Sequence, residues 1–271
     1  MPNILLNGVN IYYESHGDGF PLILTYGLGG NTGEWRNQIV DFSKSYRLIL
    51  WDPRGHGQSD SPPEKEKYNH DFYAEDLNEL MNHLNIPKAY VGGLSMGGGI
   101  ATRFALKHPE RVQALLIIDS ASASGVARSP ELRAMREKTI ELAETQGMAA
   151  VAEYAIINNP NIAGRVKKGP EAEKLVREMF IALNPKGYAN AVRAGLSAVS
   201  ITDKLGQLKM PTLLLVGEED PALPAVRLTH EKISHSKLVI IPNAGHLSNQ
   251  DQPEIFNKEL LQFLSGTDSK S

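Results

Sequence analysis

The pentapeptide Gly93-Leu94-Ser95-Met96-Gly97 joins an apolar, β-prone stretch, Lys88–Gly92, to a helical pattern, Gly98–Leu106, that stops at His108-Pro109. A serine at such a strand-to-helix corner presents its hydroxyl at the tip of a tight turn. Side chains two residues before and after it would collide, which accounts for glycine at 93 and 97. The N–H of Met96, at the start of the helix, points to where an oxyanion would form. A serine hydroxyl is a poor nucleophile at neutral pH. It needs a base, and the base needs a carboxylate to orient it.

Eight histidines are available. His246 follows the candidate core strand ending Ile241-Pro242-Asn243-Ala244-Gly245 and stands just before the last helical pattern, so it is the favoured base. His56, in Asp52-Pro53-Arg54-Gly55-His56-Gly57, also leaves a strand end, but its glycine-rich setting suits a turn residue. His16, His70, His83, His230 and His235 lie in loops or on helices and read as solvated surface, and His108 as a helix-end cap. For the acid, Asp220 in Val216-Gly217-Glu218-Glu219-Asp220-Pro221 leaves the next-to-last strand, with Glu218 and Glu219 read as solvated. Asp119 is the alternative acid; otherwise it is a buried carboxylate that accepts backbone hydrogen bonds. A second oxyanion donor is expected in Tyr26-Gly27-Leu28-Gly29-Gly30, at the Leu28 N–H. Asp52, Arg54 and Asp60 are expected to form a structural ion-pair and turn network.

These residues require a particular frame. Asn7-Gly8 separates Ile4–Leu6 from Val9–Tyr13, a two-residue hairpin signal. Apolar runs follow at Pro21–Tyr26, Tyr46–Trp51, Ala89–Gly92, Val112–Asp119, Pro211–Val216 and Lys237–Ile241. Helical patterns alternate with them at Gly33–Phe42, Asp71–Leu84, Met96–Lys107, Pro224–Ile233 and Pro253–Leu264. That alternation predicts an α/β fold with a mostly parallel twisted sheet and helices on both faces. From about Ala121 to Asp203 the alternation gives way to helical patterns at Pro130–Thr145, Met148–Ile157, Pro170–Leu183 and Pro185–Val199. The expected organisation is a core of 1–120 and 204–271 with an inserted helical cap, 121–203, and a frayed tail at Ser265–Ser271.

Composition narrows the chemistry. With 271 residues the chain can bury a full core, and 41% hydrophobic with 22% charged residues is ordinary for a globular protein. A net charge of −3 offers no basic field for nucleic acid or an anionic membrane. Zero cysteines exclude disulfides, thiolate zinc sites and a cysteine nucleophile. No signal-peptide pattern precedes Tyr13 and no apolar run spans a bilayer, so a cytoplasmic enzyme is the simplest expectation. No cofactor or metal is expected, and a homo-oligomer is compatible with the sequence.

Over essentially its whole length the chain resembles the α/β-hydrolase superfamily. The likeness rests on Asp52-Pro53-Arg54-Gly55-His56-Gly57-Gln58-Ser59-Asp60, Gly93-Leu94-Ser95-Met96-Gly97-Gly98, Gly217–Pro224 and Gly245-His246, in the family's order. Ser95 stands where the dehalogenase and epoxide hydrolase branches carry Asp. Within the serine branch the chain is similar to 3-oxoadipate enol-lactonase-type and small carboxylesterase-type members, including Gln146–Glu153 of the cap. Many relatives carry His where this chain has Tyr26; lactonase-type relatives also lack it. The resemblance implies a Ser95–Asp220–His246 triad and hydrolysis of a small ester or lactone through an acyl-enzyme. A cofactor-free lyase, a C–C hydrolase, a perhydrolase or a slow-turnover ligand-sensing receptor would use the same residues. The expected pocket is mostly apolar: Met148, Ile156, Met179 and Leu183 from the cap, with Leu28, Trp35, Leu223 and Leu247 from core loops. Uncharged short-to-medium acyl groups are the expected substrates.

Overall fold

Eight apolar or alternating segments become the strands of one sheet in the computed structural model, which describes residues 3–121 and 129–268. They are β1 (Asn3–Leu6), β2 (Val9–His16), β3 (Phe20–Thr25), β4 (Tyr46–Trp51), β5 (Ala89–Leu94), β6 (Val112–Ile118), β7 (Thr212–Gly217) and β8 (Ser236–Ile241). Their spatial order is β1-β2-β4-β3-β5-β6-β7-β8. Asn7 and Gly8 both take positive φ, 48° and 73°, closing the β1–β2 hairpin in register Leu6↔Val9. β2 pairs antiparallel with β4, and from β4 through β8 neighbouring strands run parallel.

The parallel strands are apolar at successive positions because both faces are covered. On one face Ile23, Ile49, Val91, Leu115, Ile117 and Leu214 pack with residues of α2 (His70–His83), α3 (Met96–Lys107) and α9 (Leu223–Lys232). On the other, Leu22, Leu24, Leu48, Leu50, Leu116 and Leu213 meet Phe42 of α1 (Arg36–Phe42) and Phe256, Leu260 and Leu264 of α11 (Pro253–Asp268). Residues 265–268, expected to fray, continue α11, and 269–271 lie outside the described residues.

Between β6 and β7 the chain forms α4 (Pro130–Thr145), α5 (Met148–Asn158), α6 (Pro160–Val166), α7 (Pro170–Ile181) and α8 (Pro185–Ser197). Residues 122–128 of this insertion lie outside the described residues. α6 is an element that the hydrophobic pattern did not indicate. Pro160 opens it, and the Asn159 side chain accepts from the Asn161 N–H. The insertion has its own core, in which Val151, Val176, Phe180, Tyr188 and Val192 are buried. Among the described residues no helix is long and apolar enough to cross a membrane.

The loop after β4 departs from expectation in its pairing. Arg54 does not pair with Asp52 or Asp60; its Nε and Nη2 donate to Asp76 Oδ2 and Oδ1 of α2 at 2.7 and 2.6 Å, both side chains buried. Asp52 instead accepts from the N–H groups of Thr32 and Gln58, and Asp60 from Asn10. His56 is sealed in this loop at 2% exposure, its Nδ1 3.2 Å from the Arg54 carbonyl oxygen. Burial pushes its pKa down to about 4, against the pull of the Arg54 and Pro53 backbone.

Between about pH 4 and the unfolded value near 6.5, the folded chain therefore holds fewer protons at His56 than the unfolded chain does. His56 makes stability rise with pH across that window, by at most about 1.4 kcal/mol per pH unit. Urea midpoints at pH 4.5 and 7 should differ more in the wild type than in His56→Gln. An identical difference in both proteins would assign the acid sensitivity to other groups.

Candidate active site

Strand order reverses at the β3–β5 pair: the chain passes from β3 outward to β4 on one side, then returns to start β5 on the other. The loops leaving the carboxyl ends of two such strands diverge and open a crevice. Tyr26-Gly27-Leu28 leaves β3 there and Ser95 leaves β5.

Ser95 sits at φ 54°, ψ −112°, a conformation costing about 1–3 kcal/mol for a residue with a side chain. Its N–H donates to the Ile118 carbonyl at 2.8 Å, and the Ser95 carbonyl oxygen accepts from the Ser120 hydroxyl at 2.6 Å. The corner leaves no room for side chains at Gly93 and Gly97. A Cβ on Gly93 would lie 2.5 Å from the Gly97 carbonyl carbon, and one on Gly97 would strike the Thr25 carbonyl.

Two further loops deliver the other candidates. His246 follows β8 and Asp220 follows β7; the His246 side chain is 10% accessible and that of Asp220 fully covered. The His246 Nε2 is 3.0 Å from Ser95 Oγ, and its Nδ1 is 3.0 Å from both carboxylate oxygens of Asp220. An ionised carboxylate can only accept, so the proton of a neutral imidazole belongs on Nδ1 and the Nε2 lone pair faces the serine hydroxyl. The Ala222 N–H donates to Asp220 Oδ1 at 2.8 Å and holds the carboxylate in place. Burial opposes protonation of His246, but the hydrogen bond and charge of Asp220, with the charge of Asp119 behind it, outweigh burial and raise its pKa above the ordinary imidazole value.

Asp119, the alternative acid, makes no hydrogen bond to His246. One oxygen accepts from the Gly217 N–H at 2.9 Å; the other accepts from the Ser248 N–H at 2.9 Å and hydroxyl at 2.7 Å. It thus ties the end of β7, which leads to Asp220, to the start of α10 (Ser248–Asp251), two residues beyond His246. Burial, and then the neighbouring Asp220 charge, raise its pKa. Glu218 and Glu219 are exposed, and His56 lies in the loop after β4.

The N–H groups of Leu28 and Met96 make no hydrogen bond with any described residue, which leaves both available. Tyr26 is buried; its ring meets Trp35 edge-on at 5.5 Å, and its hydroxyl accepts from Gln250 Nε2 at 2.8 Å. Burial, followed by the Glu34 charge, raises its pKa well above the ordinary phenol value, so it is neutral.

Ser95 and His246 open on a cavity of about 70 Å³ between the sheet edge and the insertion. Of the expected lining, Leu28, Met179 and Leu247 face it. Trp35 does not: it is fully buried in the core between Tyr26 and Phe256. Leu223, at the start of α9, packs on the sheet core instead. Met148, Ile156 and Leu183 belong to the insertion's own core, which needs them to stay folded. Lining residues absent from the sequence reading are Ile162, Val176, Phe180, Tyr188 and four polar ones, Arg136, Asn159, Asn161 and Arg165. The only sequence signal for the polar set was Asn159-Pro160-Asn161, a helix start that places Arg165 one turn beyond Asn161.

Comparison with known proteins gives the family and the fold. Residues 21–149 match the family described as the alpha/beta hydrolase fold. The chain is similar to 3-oxoadipate enol-lactonase 2 of Acinetobacter baylyi, 32% identical over 241 residues, covering 87% of this chain and 85% of that one. The structure is similar to that of the enol-lactonase from Burkholderia xenovorans LB400, with TM-score 0.87, 26% identity and coverage of 97% and 100%. It is also similar to a thermophilic esterase from Thermogutta terrifontis, with TM-score 0.86, 30% identity and coverage of 98% and 97%.

Proposed function

Because the chain belongs to the α/β-hydrolase family, we propose that it is a serine hydrolase cleaving a small carboxylic ester or lactone through an acyl-enzyme. Ser95 is the nucleophile, His246 the base and Asp220 the acid that orients it. Residues 1–120 and 204–271 form the hydrolase core and 121–203 its helical cap. The observation that carries this reading is the pair of 3.0 Å contacts at the two nitrogens of one imidazole, to Ser95 on one side and Asp220 on the other.

Ser95 Oγ attacks the carbonyl carbon while its proton passes to His246 Nε2. The tetrahedral oxyanion accepts from the N–H groups of Leu28 and Met96; each such donor is worth roughly 100- to 1000-fold in rate. The intermediate collapses, and the leaving alkoxide takes the proton from Nε2. In a lactone that alkoxide stays tethered to the acyl group. Water, deprotonated by His246, then attacks the acyl-enzyme, and Ser95 leaves with the proton returned. Asp220 keeps the imidazole in the tautomer the first step needs and stabilises the imidazolium formed.

The test combines products with pH. Small esters and lactones should be turned over with one oxygen of solvent water incorporated into the product carboxylate. The base works only when unprotonated, so a raised His246 pKa means that kcat/KM falls as pH drops through a midpoint above about 6.5. Cleavage without solvent oxygen in the product would point to lyase chemistry on the same residues, and an acid limb well below 6 would remove His246 from the role of base.

A further inference from the structure

One wall of the cavity differs from the rest. Leu28, Leu94, Val176, Met179 and Phe180 make it largely apolar, yet Arg136 of α4 and Arg165 of α6 both face it. No Asp or Glu is among the described residues that line it. Segment 122–128, Ser-Ala-Ser-Gly-Val-Ala-Arg, contains no carboxylate either.

The two arginines are not equivalent. Arg165 stands 3.8 Å from Glu34 Oε2, with side-chain exposures of 12% and 11%, and Glu34 also accepts from Gln250 at 2.6 Å. Arg136 is partly buried, and its guanidinium makes no hydrogen bond or ion pair with any described residue. Its charge reaches His246, where it adds to burial in opposing protonation. A cation held against an apolar cavity with no counter-ion is unfavourable until an anion joins it. The Asn161 amide and Asn159, whose Oδ1 is already taken by the Asn161 N–H, add neutral polar groups to the same wall.

We propose that the substrate carries a free carboxylate besides its ester or lactone bond, and that Arg136 is the residue that recognises it. This rests on the hydrolase reading above and replaces the expectation of an uncharged acyl group. The planar fork of a guanidinium matches a carboxylate through two parallel hydrogen bonds.

Three glutarate-sized ethyl esters separate the alternatives: one ending in a carboxylate, one in the isosteric primary amide and one in a phosphate. Wild-type kcat/KM should favour the carboxylate over the amide by tenfold or more. In Arg136→Gln the loss on the carboxylate ester should exceed the loss on the amide ester by a similar factor, with Arg136→Lys in between. Calorimetry on Ser95→Ala reads binding without turnover and should show the carboxylate ester bound at least tenfold more tightly than the amide. Equal losses on both esters in Arg136→Gln, equal binding by Ser95→Ala, or a preference for the phosphate would overturn the proposal. If Arg136-dependent carboxylate binding is found without hydrolysis of any ester, the hydrolase reading fails and the anion site stands. Hydrolysis without carboxylate preference gives the opposite result.

Discussion

Ser95→Ala is expected to lower kcat for small esters by about a millionfold, the order of loss in kcat when the serine of a comparable triad is removed. The residual rate over water comes from binding and the oxyanion donors alone. The fold should survive. Alanine keeps the Cβ already accommodated at φ 54°, and the hydrogen bonds from the Ser95 N–H and to its carbonyl are made by backbone atoms. Intact-mass analysis after a serine-directed probe gives the second readout: one adduct on the wild type and none on the variant. Ester turnover within tenfold of the wild type in pure Ser95→Ala would remove Ser95 from the chemistry.

Asp220→Asn and Asp119→Asn should separate in opposite directions. In Asp220→Asn the amide oxygen can still accept from the Ala222 N–H at the Oδ1 position, which places the amide nitrogen at the Oδ2 position, 3.0 Å from His246 Nδ1. That donor favours the tautomer with its proton on Nε2, the wrong one for deprotonating Ser95, and kcat should fall by about 10⁴. Stability should change little. In Asp119→Asn one end of the amide must place N–H groups against donors, at Gly217 or at Ser248. A buried polar group left unsatisfied costs about 1–3 kcal/mol, so this variant should lose more stability and far less kcat. Kinetics together with urea midpoints for both variants checks the crossing. If Asp119→Asn has the larger loss in kcat, the orienting acid stands at the end of β6.

The frame was legible in sequence because its signals are local. Ala114–Ile118 and Leu213–Val216 read as buried parallel strands, and both are, since a strand covered on two faces has no polar side to display. Ser95, Asp220 and His246 stood out because each follows a strand end, and topology gathers strand ends at one edge of a parallel sheet. The cavity wall was not legible. The sequence pattern does not single out Arg136 or Arg165, and only the packing of α4 and α6 decides which face meets the cavity. Trp35 and Leu223 show the converse, since an apolar side chain beside a site is as useful to the core as to a ligand. Arg54 lies close in sequence to Asp52 and Asp60, but its partner Asp76 is 22 residues away on a helix that periodicity cannot dock.

The contact between Ser95 and His246 spans 151 residues of chain. At roughly 5–20 residues per second of synthesis, the proposed nucleophile is made about 8–30 s before its proposed base. A nascent chain can form β3, β4, β5 and α3, and hold the serine at its corner, while the hydroxyl still has no proton acceptor. Because β8 pairs with β7 at the sheet's edge and is the last strand among the described residues, the proposed reactivity arrives with the closing edge of the sheet. A chain interrupted before β8 carries the serine inert, so the separation between the two residues couples the onset of chemistry to completion of the fold.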